Sequence, residues 1–288
     1  MISTIDGAVG LELLDTKLKD IAGFLGILSR QIDITVQDIK IDNLETSLNG
    51  LLIAQISDLH INEWHMEIVE QAISILNKLN PDIVVMTGDA ICNGQKFIPD
   101  LTRLFKEINP KYGKFACIGN HDHSDGDNGR RIQELYRKTD FKLLVNESVK
   151  VNIQGETLYI AGADDIELGD QNIIKMVKDL PKEATSIFLT HNPFNFQDFA
   201  QFNPNLVLAG HTHGGQLYFS MLKFIYNLRL GCNYISGLYN LDQTNLYVNR
   251  GIGTALIAPK IFNKEFIINT PRINSKPEIS LFRLISGD

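Results

Sequence analysis

Short apolar runs recur along the chain, and each stops at the same kind of place. Residues 51–56 end at Ser57-Asp58-Leu59-His60, 83–86 at Thr87-Gly88-Asp89, and 115–118 at Gly119-Asn120-His121-Asp122-His123. Residues 186–190 end at His191-Asn192-Pro193, and 205–209 at Gly210-His211-Thr212-His213-Gly214-Gly215-Gln216. Runs of this length, rich in Ile, Val, Leu and Phe and bounded by turn residues, read as strands buried on both faces. After each of the first three comes a stretch with apolar positions at helical spacing: 64–79, about 95–108 and about 130–138. Strand, loop and helix repeated in this way predict parallel crossover units.

The flanking segments follow other patterns. Residues 32–41 alternate apolar and polar positions with many β-branched side chains, which predicts a half-buried strand opening the globular domain. Residues 141–151 and 157–161, around the Gln154-Gly155-Glu156 turn, predict strands that change the chain from crossovers to hairpins. A helix over 172–180 and strands over 246–253 and 278–284 follow. Ahead of the domain, Leu11, Leu14, Leu18, Ile21, Leu25 and Leu28 form an amphipathic stripe. Its polar face is charge-balanced, so 1–31 is expected to be a helical segment docked on 32–288 or on a second subunit, with peripheral membrane contact as the alternative. The bulky stretch 217–230 reads as a buried hairpin or an apolar rim.

Composition narrows this picture. With 288 residues, 44% hydrophobic and 21% charged, the chain has a normal globular balance. A net charge of −7 argues against nucleic acid as a partner and leaves an anionic substrate in need of a local positive charge such as a metal. Cys92, Cys117 and Cys232 are widely spaced, suggesting neither a disulfide framework nor a zinc–thiolate site. With no long apolar run and no secretory signal, the expected location is cytoplasmic.

The strand ends carry the chemistry. In open α/β sheets, ligands gather outside the carboxyl ends of strands, and five such ends here deliver Asp58, His60, Asp89, Asn120, His121, His191, His211 and His213. Five of the seven histidines stand there. Each residue alone has a structural explanation, as a helix cap, a turn support or a core histidine. Together they form a set of carboxylates, imidazoles and one amide without thiolate, which suits Mn, Fe or Zn rather than a structural zinc. A donor set of this size, seven ligands or more, serves two ions, and a pair about 3.5–4 Å apart is a device for hydrolysing phosphate esters.

The series Asp58-Leu59-His60, Gly88-Asp89, Gly119-Asn120-His121-Asp122, His191 and Gly210-His211-Thr212-His213 resembles the calcineurin-like metallophosphoesterase superfamily over residues 51–216. The resemblance implies an α/β fold, a four-layer αββα sandwich of two mixed β-sheets flanked by helices. It implies that Asp58, His60 and His213 hold one divalent ion, that Asn120, His191 and His211 hold the other, and that Asp89 bridges both. His121 would stand beside the phosphate, stabilising it or protonating the leaving oxygen, with Asp122 orienting its ring, and a metal-bridging hydroxide would be the nucleophile. Manganese is the first choice of metal, with iron or zinc as alternatives.

Tyr239, the stretch 249–254 and Pro277-Glu278-Ile279 look similar to a bacterial subgroup. Several of its members are membrane-associated phosphodiesterases, and one branch is UDP-2,3-diacylglucosamine pyrophosphatase of lipid A synthesis. This implies cleavage of a phosphodiester or pyrophosphate bond in a nucleotide-lipid substrate, with peripheral contact at the inner membrane. Two departures stand out: Ala90-Ile91-Cys92-Asn93 occupies positions where many relatives carry an acid, and the membrane span or signal of many relatives is missing. The alternatives are a phosphomonoesterase acting on phosphoproteins and a non-catalytic binding scaffold. Arg250 reads equally as a phosphate ligand or as the partner of an acid.

Overall fold

All five apolar runs form strands, and side-chain alternation along them sets the layers. The computed structural model describes residues 32–62, 65–92, 95–124, 129–215, 233–254, 256–257, 260–261, 264–265, 268–269, 272 and 275–287. The helix expected over 1–31 and the bulky stretch 217–230 lie outside these residues. One sheet contains β1 (Asp33–Ile41), β2 (Leu52–Ile56), β3 (Ile83–Thr87), β4 (Lys114–Cys117), β5 (Phe141–Leu143) and β16 (Glu278–Ser286), in the order β1-β16-β2-β3-β4-β5. The other contains β6 (Glu147–Ile153), β7 (Glu156–Gly162), β8 (Ser186–Leu189), β9 (Leu206–Ala209), β10 (Gly237–Leu241) and β11 (Thr244–Val248), in the order β10-β11-β9-β8-β7-β6. Both sheets are mixed. In the first, β16 meets β2 antiparallel, and in the second the outer pairs β10/β11 and β6/β7 are antiparallel. Four two-residue strands, β12 to β15 (Leu256–Ile257, Lys260–Ile261, Lys264–Glu265 and Ile268–Asn269), pair among themselves.

Leu52, Ala54 and Ile56 face outward onto α1 (Met66–Leu79), α2 (Ile98–Lys106) and, through the same apolar cluster, α4 (Arg130–Lys138), packing with Ile73, Leu76, Phe105 and Tyr136. Their neighbours Ile53, Ile83 and Val85 face the second sheet and meet Ile187, Leu189 and Leu208. Phe188 and Val207 point the opposite way, onto Phe196 and Phe199 of α6 (Phe196–Ala200) and Met176 of α5 (Ile173–Val177). Three apolar layers therefore separate helix, sheet, sheet and helix, giving the four-layer αββα sandwich. Burial on both faces is why these strands read as continuous apolar runs. Among the described residues no helix is long and apolar enough to cross a membrane.

Two segments depart from the expected elements. The stretch 141–151 is not one strand: β5 pairs with β4, β6 pairs with β7, and the chain changes sheet between them. Asn146 makes the corner with φ 55°, its amide oxygen accepting from Asp164 N and Asn172 N and its amide nitrogen donating to the Asp170 carbonyl. The strand expected over 246–253 leaves the sheet at Val248. Ile252 N and Gly253 N then donate to the carbonyls of Ser57 and Asp58, laying this segment against the end of β2.

Candidate metal centre

The loops that leave β2, β3 and β9 turn sharply, and the turning residues are the polar ones themselves. Asp58, His60, Asp89, His211 and His213 all have left-handed backbone, with φ of 50°, 41°, 55°, 69° and 51°. Each such residue costs about 1–3 kcal/mol and persists only where its surroundings over-determine it. Here Asp58 N and His60 N donate to the carbonyls of Gly88 and Asp89, Gly210 N donates to the His191 carbonyl, and His211 N donates to the Asp58 carboxylate. The sharpest turning in the GHTHGG motif thus falls on its histidines as well as on its glycines. Two other glycines serve close approach: a Cβ on Gly210 would lie 2.3 Å from Asp58 Oδ2, and one on Gly119 would lie 2.2 Å from Asp89 Oδ1.

These turns bring all seven expected ligands together around two foci. At the first, His213 Nε2 is 3.0 Å from His60 Nε2 and 3.4 Å from Asp58 Oδ1, and His60 Nε2 is 3.5 Å from Asp89 Oδ2. At the second, His191 Nε2 is 3.2 Å from the same Asp89 Oδ2, 3.1 Å from Asn120 Oδ1 and 3.3 Å from His211 Nδ1. His211 Nδ1 is 3.2 Å from Asn120 Oδ1. One oxygen of Asp89 belongs to both groups.

The chemistry of this donor set calls for cations. His191 Nδ1 donates to the Thr87 carbonyl at 2.7 Å, so the lone pair of the neutral ring sits on Nε2. That lone pair faces a carboxylate oxygen, an amide oxygen and another imidazole, an arrangement of acceptors that a divalent ion satisfies. As protein groups alone, the side chains place positive charge at the same foci. Burial opposes charge on His60, but Asp58, Cys92 and Asp89 outweigh it and lift the imidazole to about 10. Burial opposes it on His191 too, yet Asp89 raises that ring well above the usual range. Burial and the neighbouring imidazoles push His211 down to about 4 and leave His213 well below its ordinary value. Two carboxylates, four imidazoles and an amide fit two borderline divalent ions.

The two expected catalytic residues part company. His121 N donates to Asp89 Oδ1 at 2.9 Å, and its ring stands edge-on to His60 with centroids 4.8 Å apart, so the imidazole lies at the centre. Asp122 does not orient that ring. Its carboxylate accepts from four backbone amides, those of Gly119, Asp89, Ala90 and Ile91, because the two adjacent turns would otherwise bury these donors unpaired. Asp122 ties the turn after β3 to the turn after β4, and Cys92 Sγ, not Asp122, lies 3.3 Å from His121 Nδ1. Burial pushes that thiol up, but His121 and His60 bring it down to about 6.

Further groups at the centre were not among the sequence expectations. Glu167 Oε1 lies 3.7 Å from His211 Nε2 and accepts from Asn192 Nδ2 at 3.2 Å. A signal for it existed: β7 also ends in carboxylates, at Asp164-Asp165, on the same edge as β8. Arg272 Nη2 lies 3.2 Å from His213 Nδ1, in a loop whose sequence carries no pattern. Arg250 is resolved as the partner of acids, with Nε 2.7 Å from Glu278 Oε2 and Nη2 3.2 Å from Asp33 Oδ2.

Comparison with known proteins agrees with this geometry. The model of the calcineurin-like phosphoesterase family matches residues 51–215, the segment that holds every candidate ligand above. The chain is similar to the uncharacterized metallophosphoesterase YkuE of Bacillus subtilis (strain 168), 30% identical over 264 residues covering 88% of this chain and 86% of that one. It is 32% identical to the uncharacterized metallophosphoesterase Cj0846 of Campylobacter jejuni, covering 75% of this chain but only 56% of the relative's length. The UDP-2,3-diacylglucosamine pyrophosphatase LpxG of Chlamydia trachomatis is 27% identical, with 72% of this chain and 79% of that one covered. The chain therefore belongs to the calcineurin-like phosphoesterase family and is a metal-dependent phosphoester hydrolase.

Proposed function

We propose that the protein hydrolyses a phosphodiester or pyrophosphate bond with two divalent ions, manganese first among them, and that its substrate is a nucleotide lipid of the UDP-2,3-diacylglucosamine type. The observation that carries the two-ion reading is the shared Asp89 Oδ2, 3.5 Å from His60 Nε2 on one side and 3.2 Å from His191 Nε2 on the other. Asp58, His60 and His213 would hold one ion, Asn120, His191 and His211 the second, and Asp89 both. When bound, such a pair supplies Lewis acidity toward a phosphoryl oxygen and toward the attacking water. The chain's own part is positioning. Burial of Asp58, His60, Asp89 and His213 keeps bulk water from competing, and the bond from His121 N to Asp89 Oδ1 keeps that imidazole beside the phosphate. His121 is held more readily protonated than free imidazole because Cys92 and Asp89 outweigh burial, which suits a donor to the leaving oxygen.

Two observations support an acyl-bearing substrate. Ile166 and Leu168 stand exposed on either side of Glu167, the residue beside His211, where apolar chains could rest. The relative LpxG is named for that substrate. The scaffold alternative is disfavoured because every donor is retained, and buried carboxylates kept together without a cation are costly. The test is turnover by purified, manganese-loaded protein on UDP-2,3-diacylglucosamine, bis-p-nitrophenyl phosphate and p-nitrophenyl phosphate. The expected result is cleavage of the first two faster than the third. Preference for the monoester overturns the diester reading, and inactivity on all three by folded, loaded protein overturns the enzymatic one.

A further inference from the structure

Cys92 lies three residues beyond Asp89, in the turn after β3, and is 3% exposed. Its sulfur is 3.3 Å from His121 Nδ1, and Cys92, His121 and His60 each offer a donor atom within 4.8 Å of the others. An imidazole turned half-way round about its Cβ–Cγ bond exchanges Nδ1 for carbon, so a partner on Nδ1 selects one of two ring orientations. The neighbouring carboxylate that could have made this selection is committed elsewhere, since Asp122 accepts four backbone amides.

We propose that Cys92 is the positioning residue for His121: the thiol holds the ring by Nδ1 and leaves Nε2–H turned toward the reacting phosphate. This rests on the reading that places His121 beside the substrate. The proton count favours the arrangement. A thiol donating to Nδ1 leaves the ring proton on Nε2, and a thiolate accepting from Nδ1–H faces an imidazolium that also carries Nε2–H. In either arrangement the nitrogen facing the leaving oxygen is a donor, whereas a ring with its single proton on Nδ1 would present an acceptor there.

The test compares Cys92→Ala, which removes the partner, with Cys92→Ser, which keeps a hydroxyl in its place. Full-length protein with histidines labelled in ¹⁵N and loaded with Zn²⁺ is observed at one pH, the His121 ring being assigned by its absence in His121→Gln. The expected result is a single Nε2–H form of His121 in the wild type, a mixture of tautomers in Cys92→Ala and recovery in Cys92→Ser. In turnover, Cys92→Ala should lower kcat about tenfold or more on a phosphodiester with a poor alkoxide leaving group, part of the roughly 10²–10⁴ that a positioned acid supplies. It should change KM little and affect the p-nitrophenyl diester less, with Cys92→Ser restoring the rate. An unchanged His121 signal in Cys92→Ala, or a Cys92→Ser protein that behaves like Cys92→Ala, overturns the proposal. A wild type that cleaves no ester overturns the phosphoesterase reading alone, because the ring signal still decides whether Cys92 positions His121.

Discussion

The side chains of Asp58 and His60 are fully buried and that of His213 is 6% exposed, whereas across Asp89 the His211 side chain is 19% exposed and Asn120 is also partly open. The sealed half adds a carboxylate of its own to the shared one, and the open half adds a neutral amide. Coulomb attraction is stronger where water is excluded and where more negative charge is gathered. On the two-ion reading proposed above, the sealed half would retain its ion, and the open half would exchange its ion and meet substrate. The Asp164–Asp170 loop, with Glu167 beside His211, borders the open half.

The largest effect should come from the group common to both halves. Asp89→Asn keeps the shape but removes the shared charge. Elemental analysis should find neither ion retained at stoichiometric level, and turnover should fall by more than the about 10²–10³-fold that loss of a single electrostatic donor costs. If both ions remain, Asp89 does not join the halves. Next in size is the contrast between His213→Ala and His211→Ala. The first removes an imidazole 3.4 Å from the buried Asp58 carboxylate and leaves a cavity in its place, a loss that costs about 2–5 kcal/mol for a large buried side chain, and thermal unfolding should show it. His211→Ala should unfold near the wild-type temperature and keep one ion through gel filtration. Equal metal loss in both variants would erase the distinction between the halves.

A smaller change is expected at Glu167. Partners behind metal-ligating histidines are worth about 10–100-fold in metal affinity, and at 3.7 Å from His211 Nε2 the effect of Glu167→Gln should fall near the low end of that range. A competition titration should place it on the weaker ion only. The smallest effect concerns the ion pair of His123 Nε2 and Asp164 Oδ1, 2.7 Å apart, which anchors the loop carrying Glu167. The bond to Asp164 raises the His123 pKa above 6.5, so its contribution is complete below that value and is lost as pH rises through the folded-state pKa. Burial works against ionisation of Asp164, but His123 and backbone amides outweigh it and hold its pKa below 3.8. Its contribution is present above that value and lost as pH falls through the lowered pKa. His123→Gln should thus cost about 1–2 kcal/mol between pH 4 and 6.5 and progressively less in alkaline buffer, as read from denaturation midpoints.

Much of this organisation was legible along the chain because two strong signals coincide. Strands buried on both faces leave unbroken apolar runs, and their polar ends then stand out: Asp58, Asp89 and His191 are conspicuous because of what precedes them. Helices 66–79 and 130–138 were legible for the same reason, since a single apolar stripe faces the sheet. What escaped depends on contacts distant in sequence. The corner at Asn146 is decided by Asp164, Asp170 and Asn172, and β10, an edge strand with alternate residues exposed, has no apolar run to announce it. The family resemblance made Asp122 look like the partner of His121. The turn it closes spends its carboxylate on backbone amides, and the atom beside the ring is Cys92 Sγ, three residues past Asp89.

The central claim is that two ions share one oxygen of Asp89. Crystals of the full chain grown with Mn²⁺ and measured at the manganese absorption edge test it most directly. Two anomalous peaks flanking Asp89 are expected, one among Asp58, His60 and His213 and the other among Asn120, His191 and His211, with the second fading first in a brief chelator soak. A single peak, or two peaks with Asp89 outside the ligand sphere of either, would contradict the account.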